Sequence, residues 1–169
     1  MSGFGVVFDA TRLTGTVAFG TAALACLRAA VVAPRGGSVW WALGAVQLAC
    51  VLEVLLGLRY RLHIAVDALL QERGWYASRG DWQAELVFAV LALVAAIAGF
   101  IAWRQRDDGA KTAAVIGTAL GVSLLGTETI SLHRIDAVMY TQAGPLAVVV
   151  WMWLAAAAIV VVAALARRR

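Results

Sequence analysis

Five stretches of about twenty mostly apolar residues occupy most of this 169-residue chain. A helix of that length crosses a hydrocarbon core about 30 Å thick. Lipid offers no hydrogen bonds, so a spanning segment must satisfy its own backbone, which a single helix does. The pattern therefore predicts an all-α integral membrane protein, a compact bundle of about five transmembrane helices in one domain covering 1–169. The spans are expected at about 13–33, 39–58, 84–103, 112–138 and 145–166. The second is expected to continue past the bilayer toward residue 72, or to bend onto its surface, because Leu62, Val66, Leu69 and Leu70 keep a helical apolar repeat. Trp75, Tyr76 and Trp82 suit the headgroup layer, where amphipathic rings settle.

Composition closes the soluble alternative. The chain is 63% hydrophobic and 14% charged, whereas soluble domains run nearer half apolar and a quarter charged. The net charge of +4 does not signal nucleic acid, because the arginines stand at the ends of apolar runs. No nucleic-acid partner is expected; the bilayer is, together with other membrane subunits or further copies of the chain. Cys26 and Cys50 lie inside apolar runs and read as small hydrophobes. The first residues lack a basic stretch and a cleavage site, so no removable signal peptide is expected.

Sidedness follows from basic residues near the spans. Arg35, Arg104, Arg106, Lys111 and the terminal Arg167-Arg168-Arg169 fall on one side; Arg12, Arg59, Arg61, Arg73, Arg79 and Arg134 fall on the other. Several of the second group are interleaved with carboxylates. The expected arrangement is a multi-pass protein of the cell membrane, with the N-terminus outside and the C-terminus in the cytoplasm.

Carboxylates are distributed unevenly. Of ten, eight point toward the N-terminal side: Asp9, Glu53, Asp67, Glu72, Asp81, Glu85, Glu128 and Asp136. Both histidines, His63 and His133, join them. Counting about 1.5 Å per residue, Glu53 and Glu128 lie roughly 21–24 Å into their spans and the histidines roughly 32–36 Å, at the boundary. At about 100° per residue, Glu53, Arg59, Tyr60, His63 and Asp67 share an arc of roughly 120°. Thr129, His133, Asp136 and Tyr140 share roughly 60°, with Glu128 to one side. Lipid does not solvate such stripes, so they are expected to face a shared interior in the outer leaflet. Leu62-His63 before Asp67-Ala68 echoes Leu132-His133 before Asp136-Ala137, which points to a parallel repeat of two helical hairpins.

This inventory suits a metal or redox site. His63, His133, Asp67 and Asp136 are the candidate ligands for a transition metal such as Zn, Fe, Mn or Cu. A b-type haem held by the two histidines is the other cofactor expectation, with Gly57 and Gly126 allowing close approach and Arg59 or Arg134 pairing propionates. Glu53, Glu128, Arg59, Tyr60, Thr129 and Tyr140 are read as supporting residues or a proton relay. Two further classes stand beside this one: a non-catalytic subunit of a larger membrane complex, and an oligomer that translocates protons or cations. No phosphate loop, nucleophile elbow or His-Glu-x-x-His is present, so no enzyme class is assigned.

Overall fold

A computed structural model describes residues 10–33, 37–75, 79–130 and 133–166, the side chains of 79–81 and 133–134 excepted. The elements run α1 Ala10–Val32, α2 Gly37–Leu56, α3 Leu58–Glu72, α4 Arg79–Arg104, α5 Gly109–Ile130, α6 His133–Met139, β1 Gln142–Ala143, β2 Leu146–Ala147 and α7 Val148–Ala166. Five helices are long and apolar enough to cross a membrane: α1, α2, α4 from Trp82, α5 and α7. The chain is an all-α membrane bundle, as the five apolar runs predict.

Packing closes four of the spans into a ring. α1 lies between α2 and α7, and α5 meets both α7 and α2 across the bundle. Within a bilayer the lipid is as apolar as the helices, so association depends on close backbone approach and packing. Small residues supply this. The buried face of α1 is Gly15, Ala18, Phe19, Ala22, Ala23, Cys26, Ala29 and Ala30, and that of α7 includes Ala156, Ala157, Ala163 and Ala164. At Gly117 a methyl group would come within 2.9 Å of the Ala156 carbonyl oxygen, so only glycine allows α5 this near α7. Gln47 and Thr118, both buried, are joined across α2 and α5 by a 3.0 Å hydrogen bond, the amide donating. Such bonds contribute about 0.6 kcal/mol within membranes.

α4 is the outlier. Among the described residues its main packing is on α5, and only 6% of its apolar window is buried within the protein. Gln83 near its start donates to the Ile130 carbonyl at 3.3 Å, fixing one end against the end of α5. At the opposite end Asp108 accepts from the Lys111 backbone N–H and pairs with its ammonium, each at 3.1 Å, so the α4–α5 turn is tightly capped.

One boundary differs from the sequence reading. The second span does not continue as one helix. It stops at Leu56, Gly57 adopts a left-handed conformation (φ +59°), and α3 begins anew at Leu58. A residue without a Cβ takes that conformation at no steric cost, so the extension exists but is set off by a break. The fourth run is helical to Ile130 and again from His133 to Met139, the expected span toward 138 crossing residues 131–132, which lie outside the described residues. Thr127 and Thr129 return their hydroxyls to the carbonyls of Ser123 and Leu125, a pattern that bends helices. Before α7, Gly144 (φ +72°) and Pro145 turn a two-residue β-ladder, pairing Gln142 with Ala147. Trp151 Nε1 donates to the Ala143 carbonyl at 2.9 Å and pins this hairpin to α7.

Candidate functional site

The topology brings the end of α2, the start of α3, the end of α5 and the start of α7 to one face of the bundle. Glu53 is one turn before the end of α2, Arg59 is the second residue of α3, and Glu128 is in the last turn of α5. The left-handed Gly57 breaks the helix between α2 and α3, and Arg59, two residues on, meets the last turn of α2. Its backbone N–H donates to Glu53 Oε1 at 3.2 Å, and its Nη1 reaches Glu53 Oε2 at 3.1 Å. The same Nη1 lies 3.2 Å from Glu128 Oε2. One guanidinium thus bridges carboxylates from two spans 75 positions apart in the sequence, a separation read directly from their numbers.

Aromatic side chains enclose the bridge. Tyr140, just after α6, donates its hydroxyl to Glu128 Oε2 at 3.0 Å. Burial of that hydroxyl, with the Glu128 carboxylate adding to it, pushes the Tyr140 phenol up to about 12. The tyrosine therefore stays a neutral donor. On the other side the Arg59 guanidinium lies 5.3 Å from the ring centre of Trp153, a cation–π contact. Trp153 is fully buried and packs on Phe19 at 6.1 Å.

Exposure is graded across the site. The side chains of Arg59 and Glu53 are 18% and 19% exposed, while that of Glu128 is 0% exposed. Arg59 therefore caps Glu128 from the open side. Glu128 Oε2 accepts from both Arg59 and Tyr140, but among the described residues the buried Oε1 completes no hydrogen bond. The Trp153 indole N–H approaches this carboxylate as a further donor, short of full hydrogen-bond geometry. Asp136 on α6 adds its charge near Tyr140, and the Arg12 guanidinium of α1 approaches Gly57.

Of the residues singled out in the sequence, the structure therefore brings together Glu53, Arg59, Glu128 and Tyr140. Others go elsewhere. His63 Nε2 faces Asp67 Oδ2 at 3.5 Å, one turn apart on α3. Tyr60 is 65% exposed and Thr129 bonds back to its own helix, so neither adds to the bridge. His133 opens α6, but its side chain lies outside the described residues, as does that of Arg134. The expected pairing of the two imidazoles falls there. Among the described residues, no three His, Cys, Asp or Glu side chains gather as a metal site. Of the two glycines read as haem-facing, Gly57 forms the break, and Gly126 faces Val90 of α4 at 3.2 Å from where a Cβ would stand. Tyr76 lies outside the described residues; Trp75 is exposed with Arg73 stacked over it at 5.7 Å.

Sequence reasoning missed Trp153. α7 carries Trp151 and Trp153 on a helix apolar all round, and no polar periodicity marks which of them turns inward. Fold and site together define a polytopic α-helical membrane bundle with a charge bridge buried at one end. The chain matches no protein-family model, and neither a curated protein nor a solved structure gives a significant match.

Proposed function

We propose that the protein binds a proton or small monovalent cation at the Glu53–Arg59–Glu128–Tyr140 bridge, as the membrane-embedded station of a translocation path. One observation carries this reading: the Glu128 carboxylate is wholly enclosed, yet among the described residues one of its two oxygens completes no hydrogen bond. Although Arg59 and Tyr140 hold Oε2, a buried carboxylate oxygen without a full partner in a medium of low dielectric is costly, and ionisable groups inside membranes mark ion and proton routes. A positive charge at Oε1 completes the coordination. The roles follow from position. Glu128 is the binding group, Glu53 is the partly open carboxylate between it and the aqueous side, and Tyr140 orients Oε2. The site faces the cell exterior, with the C-terminus in the cytoplasm.

Infrared difference spectra of the protein in lipid vesicles, stepped between mildly alkaline and mildly acidic pH, test this directly. A protonated-carboxyl band is expected in the native protein and is expected to vanish in Glu128→Gln. A spectrum identical in the two proteins sinks the proposal. Sidedness has its own readout: a tag following Arg169 is expected to resist external protease in intact cells, and its rapid removal would invert the orientation.

A second reading, a non-catalytic subunit of a larger membrane complex, draws on α4, which leaves nearly its whole apolar surface outside the bundle. In that case the charge bridge only fastens α3 and α5, and the native protein shows no pH-dependent carboxyl band.

A further inference from the structure

Arg59 is separated from α2 by little more than Gly57, whose left-handed backbone lets α3 take its own direction. A side chain there is strained in that conformation. α3 is also loosely seated. Of its fifteen residues only Leu70 is buried. Leu58, Leu62, Val66 and Leu69 recur at helical spacing and are all exposed, which gives the arm an apolar outer stripe. Continuing from a span that ends at Leu56, such a stripe rests in the headgroup layer and needs no protein partner. The arm is therefore fastened to the bundle near its start by Arg59 and farther along by Leu70.

The fastening is electrostatic and shared. Arg59 occupies the open side of Glu128 and touches Glu53 with the same Nη1. We infer that α3 is a hinged arm and that Arg59 is a tethered counter-cation, displaced from the two carboxylates when protons or small monovalent cations take its place. The inference rests on the proposed cation-binding role of this site. When hydronium delivers a proton, one of its O–H bonds breaks as an O–H bond forms at the carboxylate, water leaves, and the guanidinium keeps its own charge and moves toward the headgroups. Sodium would replace the guanidinium in the same way without bond formation.

The groups facing the exchange come from every neighbouring element. They are Glu53 on α2, His63 and Asp67 moving with α3, Glu128 on α5, Asp136 on α6, Tyr140 beyond it and Arg12 on α1. Tyr140 stays neutral, because its phenol is raised to about 12. The exchange is assigned to the two glutamates because they are the carboxylates in contact with Arg59. With both ionised the arm is closed; with both neutralised its charge contacts to α2 and α5 are gone.

Distances between spin labels on Gln71→Cys, near the exposed end of α3, and Gln142→Cys, in the hairpin, read the arm in nanodiscs. The native Cys26 and Cys50 are buried and do not compete for label. One arm of the experiment lowers pH at fixed potassium; the other raises sodium at constant alkaline pH. The distance is expected to lengthen by several ångströms in the arm that supplies the ligand. In Glu53→Gln/Glu128→Gln it is expected to be long throughout. Arg59→Gln gives the same long distance without altering the carboxylates, and Arg59→Lys keeps the dependence. A native distance unchanged in both arms overturns the inference. If the Glu128 carboxyl band responds while the distance does not, the arm is wrong and the cation site stands. If the band is absent as well, the site itself has failed.

Discussion

Arg59→Leu is expected to destabilise the folded protein by about 3 kcal/mol, measured by denaturant or detergent-induced unfolding at neutral pH. The loss does not come from the arginine's own contacts alone. Removing the guanidinium leaves Glu128 wholly buried and Glu53 mostly so, with the like charges of both no longer bridged. Breaking one partner out of a buried charge cluster typically costs about 3–5 kcal/mol, and the lower end applies because Arg59 and Glu53 keep some contact with water. The deficit is expected to shrink as pH falls, since protonation of the stranded carboxylates removes the charge that causes it. The triple variant Glu53→Gln/Arg59→Leu/Glu128→Gln is expected to regain most of the stability, because no unpaired charge remains. A single variant as stable as the native protein would show that the bridge carries no energetic weight.

Trp153→Ala is the second large effect, expected at about 3–5 kcal/mol in the same unfolding measurement. Trp153 is completely enclosed and meets three elements at once. Its ring lies against Phe19 of α1, comes within 2.9 Å of where a Cβ at Gly15 would stand, and faces the Arg59 guanidinium. Truncation to alanine opens a cavity at the crossing of α1 and α7 and removes the surface on which the cation rests. Trp153→Phe retains a ring for both purposes and is expected to lose less than half as much. Equal losses in the two variants would mean that the indole N–H, rather than packing, explains the residue.

The bundle was legible in the sequence because its cause is a simple length requirement. A span needs about twenty apolar residues, and the chain contains five such runs with turn residues between them. The carboxylate asymmetry was legible for a related reason, since charged residues on apolar helices have few places to go. Glu53, Arg59, Glu128 and Tyr140 were each marked by that argument. Their partners were not. The phase calculation assumed one continuous helix through residue 67, whereas Gly57 resets the phase and sends Tyr60 outward. Glycine is frequent in membrane helices, and nothing in the local sequence distinguishes a tolerated glycine from one with positive φ. Trp153 was hidden because α7 has no polar face from which to read its rotation. His63 meets Asp67 one turn along its own helix, as their four-residue spacing anticipates, while the arginine and the glutamates gather at the bridge.

Everything functional here depends on Arg59 and Glu128 sharing one buried contact. A double-mutant cycle with Arg59→Gln and Glu128→Gln, measured by reversible unfolding in detergent at neutral pH, isolates that contact from the rest of the fold. The bridge predicts a favourable coupling above about 1 kcal/mol, outside the scatter of about 0.3–0.5 kcal/mol seen for independent sites. Strictly additive losses in the two single variants would contradict it.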